Sequence, residues 1–419
     1  MCGLIKLAAV GSVSLYYLFA RPMNVYLFGQ CFINMQMAWI CHLFFLMSSI
    51  ALLRLCATWQ SWNPAFAMLA LMLCLALSLC FLSSNLLAFY IFFEASLLPI
   101  LFMIITWGYQ PERIQAGMYM VMYTVRVPAP SLWVLYILSS TLCSLNVFVL
   151  SSLNTLFLPA ALCFFSFFAF LVKLPVYGLY IWLQSHMVSR HLAGSMLLAG
   201  VQKLGGYGLF MFGSLLALLP SPAATYFLMI AALWGGVLAA LICLAQVDIK
   251  ALIAYSSVVH MSIVVIGYLS GTCYGYMSAT VTMMGHGWAS SGLFLLAYVT
   301  YTRAGSRSFL LTKGILNVAP VLAMLWFVFC SWMMAAPHWL LESIAIPASF
   351  AVNIKLVVVL LVIMFLSVGY NMYMFPYLTM AVQGLTHRLT GLCKHMSISK
   401  LLLICCRFFS CSAWTFYYL

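Results

Sequence analysis

The chain has 419 residues, of which 67% are hydrophobic and 5% charged, with a mean hydropathy of +1.15. A soluble domain carries about 25% charged residues, so this one has too little polar surface to wrap a globule of 46.7 kDa. A water-soluble enzyme, a disordered chain and a nucleic-acid binder on a soluble scaffold are excluded. What remains is an all-α, polytopic transmembrane helix bundle, since the apolar runs are far too long for the alternating strands of a β-barrel.

Taken in chain order, the apolar runs fall at 7–20, 24–53, 63–83, 86–106, 114–139, 158–182, 193–219, 224–245, 250–269, 273–300, 310–336, 339–375 and 397–419. The first reads as a short transmembrane helix, because no small-x-small cleavage site follows it. The second is long enough for two short helices, which gives 14 crossings. Pro347 breaks 339–375, and its first part is assigned to the preceding helix. Domain organisation follows: N-terminal helices over 1–62, a first repeat over 63–219, a second over 220–378, and a C-terminal loop and helix over 379–419.

The net charge of +13 is explained by where the cations stand. Arg21, Arg54, Arg113, Arg190, Lys250, Arg303 to Lys313, and Arg388 to Lys394 occupy every second loop, whereas 140–157, 220–223 and 270–273 carry no Lys or Arg. Short basic loops stay on the side of synthesis. The alternation therefore places 109–113, 186–191, 246–250 and 302–313 on one face, and no nucleic acid is needed to account for the excess. The 15 cysteines form no CxxC pair, and even the group Cys405, Cys406 and Cys411 lacks a His or carboxylate at ligand spacing.

Several ionisable residues lie inside or at the ends of the runs: Glu94, Lys173, Lys203, His260, His286 and Glu342. Each ion at a helix centre costs roughly 2.5–3.5 kcal/mol on insertion scales. Four without partners would cost roughly 10–14 kcal/mol, comparable to the whole stability of a domain, about 5–15. They must pair with one another or line a wet path. Burial disfavours the charged forms of Lys and Glu, and His titrates near neutrality, so these residue types suit proton movement. Lys203, mid-run, is the expected central relay, and Glu94 is expected to face Lys173 within a direct or one-water contact. No nucleophile–base pair and no phosphate-binding glycine loop accompanies them.

Two of these residues stand beside helix breakers. Pro175 follows Lys173 in FLVKLPVYGLYIWL, and Pro337 precedes Glu342 in MMAAPHWLLESIAIP. Proline removes a backbone donor, and unwound backbone survives at membrane depth only where it is buried in protein or lines a cavity. In the 14-helix count the breaks fall on the seventh and twelfth helices, five apart. An odd-numbered unit repeats upside down, the mark of inverted-repeat transporters.

The stretches FYIFFEASLLPILFMIITWGYQPERIQAGMYMVMYT, VKLPVYGLYIWL, LAGSMLLAGVQKLGGYG, ICLAQVDIKALIAYSSVVHMSIVV and GHGWASSGLFLLAY resemble chain 4 of NADH–ubiquinone oxidoreductase, an antiporter-like proton-pumping subunit of respiratory complex I. The resemblance implies two inverted five-helix repeats with broken seventh and twelfth helices. It implies a proton relay of Glu94, Lys173, Lys203, His260, His286 and Glu342, with Glu112, Arg113, Asp248 and Lys250 in structural loops. It also implies a mitochondrial inner membrane location and, as partners, lipid and other membrane-arm subunits, above all the antiporter-like chains 2 and 5. No cofactor is implied in this chain; NADH, FMN, iron–sulfur clusters and ubiquinone would be bound by other subunits. The segment Trp182 to His191 departs from the family pattern by losing a Pro and a Glu, and Arg126 inside the sixth run is unusual. A free-standing cation/proton antiporter is the alternative, but four acids offer no oxygen cluster for Na⁺. A haem carrier would need a second His pair, and an inert scaffold would have no use for the buried ions.

Overall fold

A computed structural model describes residues 64–83, 85–107, 113–126, 129–142, 145–146, 167, 169–174, 176–180, 203–212, 222–334 and 354–379. The expectations for 1–62, Glu112, His186, His191, Pro337, Glu342 and the last forty residues lie outside them. The described residues fall in two compact units, one within Met1–Leu174 and Val188–Pro222, the other within Pro175–Met187 and Ala223–Leu419.

The architecture is an all-α membrane bundle. Five helices among the described residues are long and apolar enough to cross a bilayer: Leu86–Trp107, Arg113–Thr141, Thr225–Ala245, Ile249–Leu269 and Ile354–Thr379. Cys273–Ala304 is longer still, at 32 residues, but too polar to join that set. The reason is a stripe at helical spacing, Ser278, Thr282, His286 and Ser290, all buried. That stripe costs nothing against lipid because it never meets lipid.

In the first unit, Pro64–Leu82 packs on Leu86–Ala95 and Leu97–Trp107, and Leu97–Trp107 packs on Arg113–Val121. Asn85 caps Leu86–Ala95, its side chain accepting from the Leu87 amide at 3.0 Å. In the second unit, Ile249–Leu269 and Cys273–Ala304 form an antiparallel pair joined by three residues, with Gly271 at φ +65°. Gly267 lets the pair close, since a Cβ there would stand 2.6 Å from the Gly275 carbonyl oxygen. Pro320–Met334 and Ile354–Thr379 pack beside them.

One expected helix is corrected at its start, and a second keeps its span but is subdivided. The run 310–336 begins as loop: Lys313 and Gly314, at φ +87°, precede a single turn Ile315–Val318, and the helix proper starts at Pro320. Proline is preferred at a first helical position, where its missing N–H has no helical partner to lose. The run 114–139 is Arg113–Val121, a π-helical turn Met122–Arg126, and then Ala129–Leu142.

Loop pairing within each unit agrees with the charge alternation. The uncharged loops meet through an Asn85–Asn146 bridge, with the Leu86 amide donating to the Leu145 carbonyl at 3.0 Å. The basic loops meet through an Asp248–Ser308 bridge, where Ile249 N donates to Arg307 O at 3.2 Å and Phe309 N to Val247 O at 3.0 Å. With exposed native cysteines blocked, single cysteines at the exposed positions Val247 and Leu310 should label from one face of the membrane and one at Tyr274 from the other. Labelling of Val247 and Leu310 from opposite faces would refute the topology.

Candidate functional site

Two helix interruptions mark the surroundings of Lys173. Ser96 divides Leu86–Ala95 from Leu97–Trp107. Pro99 cannot donate to the Ala95 carbonyl, and Ser96 Oγ turns back to donate to the Phe93 carbonyl at 2.7 Å. The second interruption follows Lys173. Residues 169–173 are helical, the Leu174 amide donates to Phe170 O at 2.9 Å, and 176–180 are not helical, with Gly178 at φ +90°. The break expected from Pro175 is thus present.

Lys173 is completely buried. Its Nζ donates to the Phe93 carbonyl at 2.8 Å and stands 3.0 Å from the centroid of the Phe93 ring. A helix C-terminus and an aromatic face both favour a cation. The ammonium therefore reaches the turn that carries Glu94, and the two charges act on each other. Among the described residues, however, no hydrogen bond or ion pair joins them, and Glu94 Oε1 is buried without a hydrogen-bond partner. A carbonyl accepts from an amine as well as from an ammonium, so the Phe93 bond holds Lys173 in place without fixing its protonation state. Glu94→Gln and Lys173→Met, made singly and together, should show coupling of roughly 1–3 kcal/mol in a double-mutant cycle on turnover. Additive effects would mean that the two charges work separately.

Lys203, 1% exposed, lies in a stretch that is helical over 203–211 among the described residues. This stretch lies directly against the Lys173 break. A Cβ on Gly205 would stand 2.9 Å from the Leu174 amide nitrogen and 3.0 Å from the Phe170 carbonyl, and one on Gly208 would overlap the Phe170 ring. Aromatic rings fill the space around them: Phe93–Phe170 at 5.6 Å between centroids, Phe89–Tyr207 at 5.7 Å and Phe81–Tyr207 at 5.0 Å. The Tyr207 hydroxyl donates to the Phe81 carbonyl at 3.2 Å. Both lysines are thus buried, on segments that pack closely against each other.

In the second unit, His260 and His286 are both fully buried, with ring centroids 5.1 Å apart. Tyr370, from Ile354–Thr379, places its hydroxyl 3.1 Å from His260 Nε2. A phenol hydrogen-bonded to an imidazole can exchange a proton with it, and the His286 ring lies against that imidazole. The buried serines beside them donate to their own helix: Ser256 to Ile253 O at 2.7 Å, Ser257 to Ala254 O at 2.6 Å and Ser262 to Val259 O at 2.6 Å. Their oxygen lone pairs remain available as acceptors. Tyr370 was not legible in the sequence, standing 110 residues from His260 with no motif to mark it. Ser278, Thr282 and Ser290 were not singled out either, although their four-residue spacing with His286 marks one helix face. Tyr370→Phe removes one partner of His260 and should slow turnover roughly tenfold with assembly intact, the effect of about 1–3 kcal/mol for a partner lost in a buried site. Unchanged turnover would remove Tyr370 from the path.

Among the described residues, no three His, Cys, Asp or Glu side chains come together as metal ligands. Glu342 lies outside the described residues, so its place in the relay rests on sequence alone.

The bundle buries one lysine at a helix break, a second on the segment packed against it, and two histidines within long helices, and the sequence comparison places it in a family. Residues 83–369 match the family described as NADH:quinone oxidoreductase/Mrp antiporter, transmembrane, and the chain belongs to that family. Within it, the chain is homologous to NADH–ubiquinone oxidoreductase chain 4. It is 40% identical to that protein of Albinaria caerulea over 342 residues, covering 80% of this chain and 77% of the relative. To that of Locusta migratoria it is 37% identical over 389 residues, covering 88% and 84%. The fold matches a chain of respiratory complex I from Thermus thermophilus with bound NADH, with a TM-score of 0.84 at 22% identity over 97% of this chain and 89% of that one. It also matches the Mrp complex from Dietzia sp., with a TM-score of 0.75 at 15% identity over 95% and 46%.

Proposed function

We propose that this chain is a proton-translocating subunit in the membrane arm of NADH–ubiquinone oxidoreductase, in the mitochondrial inner membrane. Protons move through Glu94, Lys173, Lys203, His260, His286 and Glu342, driven by electron transfer from NADH to ubiquinone in other subunits. NADH, FMN, iron–sulfur clusters and ubiquinone belong to those subunits, and this chain performs no redox chemistry. It has 14 helices, with 63–219 and 220–378 as inverted repeats broken at the seventh and twelfth helices. Its neighbours are the antiporter-like chains 2 and 5.

The observation that carries this reading is the pair of buried lysines, Lys173 and Lys203, on two backbone segments packed against each other. A bundle held together only by packing would place apolar residues at both positions, since two buried ammonium groups cost stability without improving the fit. The relatives' name supplies the assembly.

The test is purification through a tag on this chain from detergent-solubilised mitochondria. The reading expects a large assembly that oxidises NADH, reduces ubiquinone and, once reconstituted in vesicles, acidifies one compartment. Recovery of the chain alone, exchanging Na⁺ for H⁺ in vesicles without NADH, would replace it with the free-standing antiporter.

A further inference from the structure

Arg126 takes no part in the relay, and its position demands an explanation. It ends the π-helical turn Met122–Arg126, its side chain is exposed, and it stands 13 residues after Arg113 and 15 before Thr141 in one membrane span. At about 1.5 Å per residue that is roughly 20 Å from either end. The hydrocarbon core is only about 30 Å thick, so Arg126 stands near its middle. A guanidinium cannot shed its proton as a buried lysine can. Near mid-membrane it is among the costliest side chains, and snorkelling is for residues near helix ends.

Nothing described in this chain offsets the charge. Among the described residues Arg126 makes no hydrogen bond, ion pair or ring contact. Four carboxylates serve 17 Lys and Arg, with Glu94 acting on Lys173 and Asp248 on Lys250. The helix face is equally informative. Gly117, Met120 and Thr124 are buried, Gly117 lying close to Leu101 and Ile105, whereas Ile114, Met118 and Met122 are exposed and stand in line with Arg126 at four-residue steps. The local backbone is specialised as well. The Thr124 hydroxyl donates to the Met120 carbonyl, a bond that bends helices, and Pro128 and Pro130 withhold the donors that an α-helix would give the carbonyls of Thr124 and Arg126. π-turns of this kind recur at functional sites.

We propose that the stripe Ile114, Met118, Met122 and Arg126 is an intersubunit face inside the membrane, covered by a transmembrane helix of a neighbouring subunit that presents a carboxylate to Arg126. This rests on the reading of the chain as one subunit of a membrane assembly. Charge complementarity selects the occupant: lipid tails offer no acceptor at this depth, and lipid phosphates lie in the headgroup plane.

The test uses the assembled complex. Arg126→Leu and Arg126→Glu leave the partner's carboxylate uncompensated and should lower the yield of assembled complex at least about tenfold, whereas Arg126→Lys should lower it by less than about threefold. An Arg facing lipid gives the opposite sign, because Arg126→Leu would then assemble as well as or better than the parent. Since a variant chain can fail to insert, a second measurement keeps Arg126 in place. A photo-reactive amino acid at Met122, activated in the purified complex, should crosslink to a membrane helix of another subunit with an Asp or Glu within one turn of the adduct. A lipid adduct, a crosslink within this chain, or a partner helix lacking a carboxylate would overturn the pairing. If the purified assembly does not oxidise NADH, the proposed function fails, and the crosslink still decides the pairing in whatever assembly holds the chain.

Discussion

Lys203→Arg is expected to stop proton pumping almost as completely as Lys203→Ala. A relay group must be neutral for part of each cycle, and lysine can be, whereas arginine at any working pH cannot. Lys203 is 1% exposed, and residues 204–212 are buried with it. Loss of a positioned acid–base group costs about 10²–10⁴-fold; both variants should therefore lose roughly a hundredfold or more in proton uptake coupled to NADH oxidation. Arginine is also bulkier, and the neighbourhood is tight. Lys203→Met separates the two effects: it fits the volume, carries no charge, and should assemble normally yet fail to pump. A lysine needed only as a fixed charge would give the reverse order, with Arg near normal and Met and Ala defective. Near-normal pumping by the arginine variant removes Lys203 from the relay.

The sequence was most legible where a single residue type has a single physical meaning. Pro175 after Lys173 announces a break, and the helix ends there. Lys and Arg in alternate loops announce sidedness, and the loops carrying Asp248 and Ser308 are bridged. Legibility fell where apolar composition hides backbone geometry. The apolar run 310–336 overlaps the basic loop 302–313, and the loop prevails there: Gly314 adopts positive φ and the helix waits for Pro320. The interruption at Ser96 lies within an unbroken apolar run, so the expectation of a direct or one-water contact between Glu94 and Lys173 carried no sign of the Phe93 carbonyl, which accepts from Lys173 Nζ at 2.8 Å. His260 and His286 were recognisable one by one on successive helices. Their ring contact, and the phenol that Tyr370 brings across, exist only once three helices pack.

Gly205→Ala is expected to damage the pump without touching an ionisable group. Its new methyl would stand 2.9 Å from the Leu174 amide nitrogen and 3.0 Å from the Phe170 carbonyl oxygen, the two atoms that close the last turn before the break. Backbone atoms at the end of a hydrogen-bonded turn cannot swing aside, so the whole segment carrying Lys173 must shift. Overpacking of this kind costs about 1–3 kcal/mol, and Lys173 would lose register with the Phe93 carbonyl it now meets at 2.8 Å. Gly208→Ala makes the instructive comparison, because its methyl meets the Phe170 side chain instead of the backbone. Phe170→Leu should therefore rescue Gly208→Ala and leave Gly205→Ala unrepaired. The measurements are the amount of assembled complex, its thermal midpoint, and the protons pumped per NADH oxidised. Gly205→Ala should lower the last even in the fraction that assembles, since the displaced group is the lysine itself. If that fraction pumps normally, the 203–211 segment only holds the Lys173 break in place and does not set where its ammonium points.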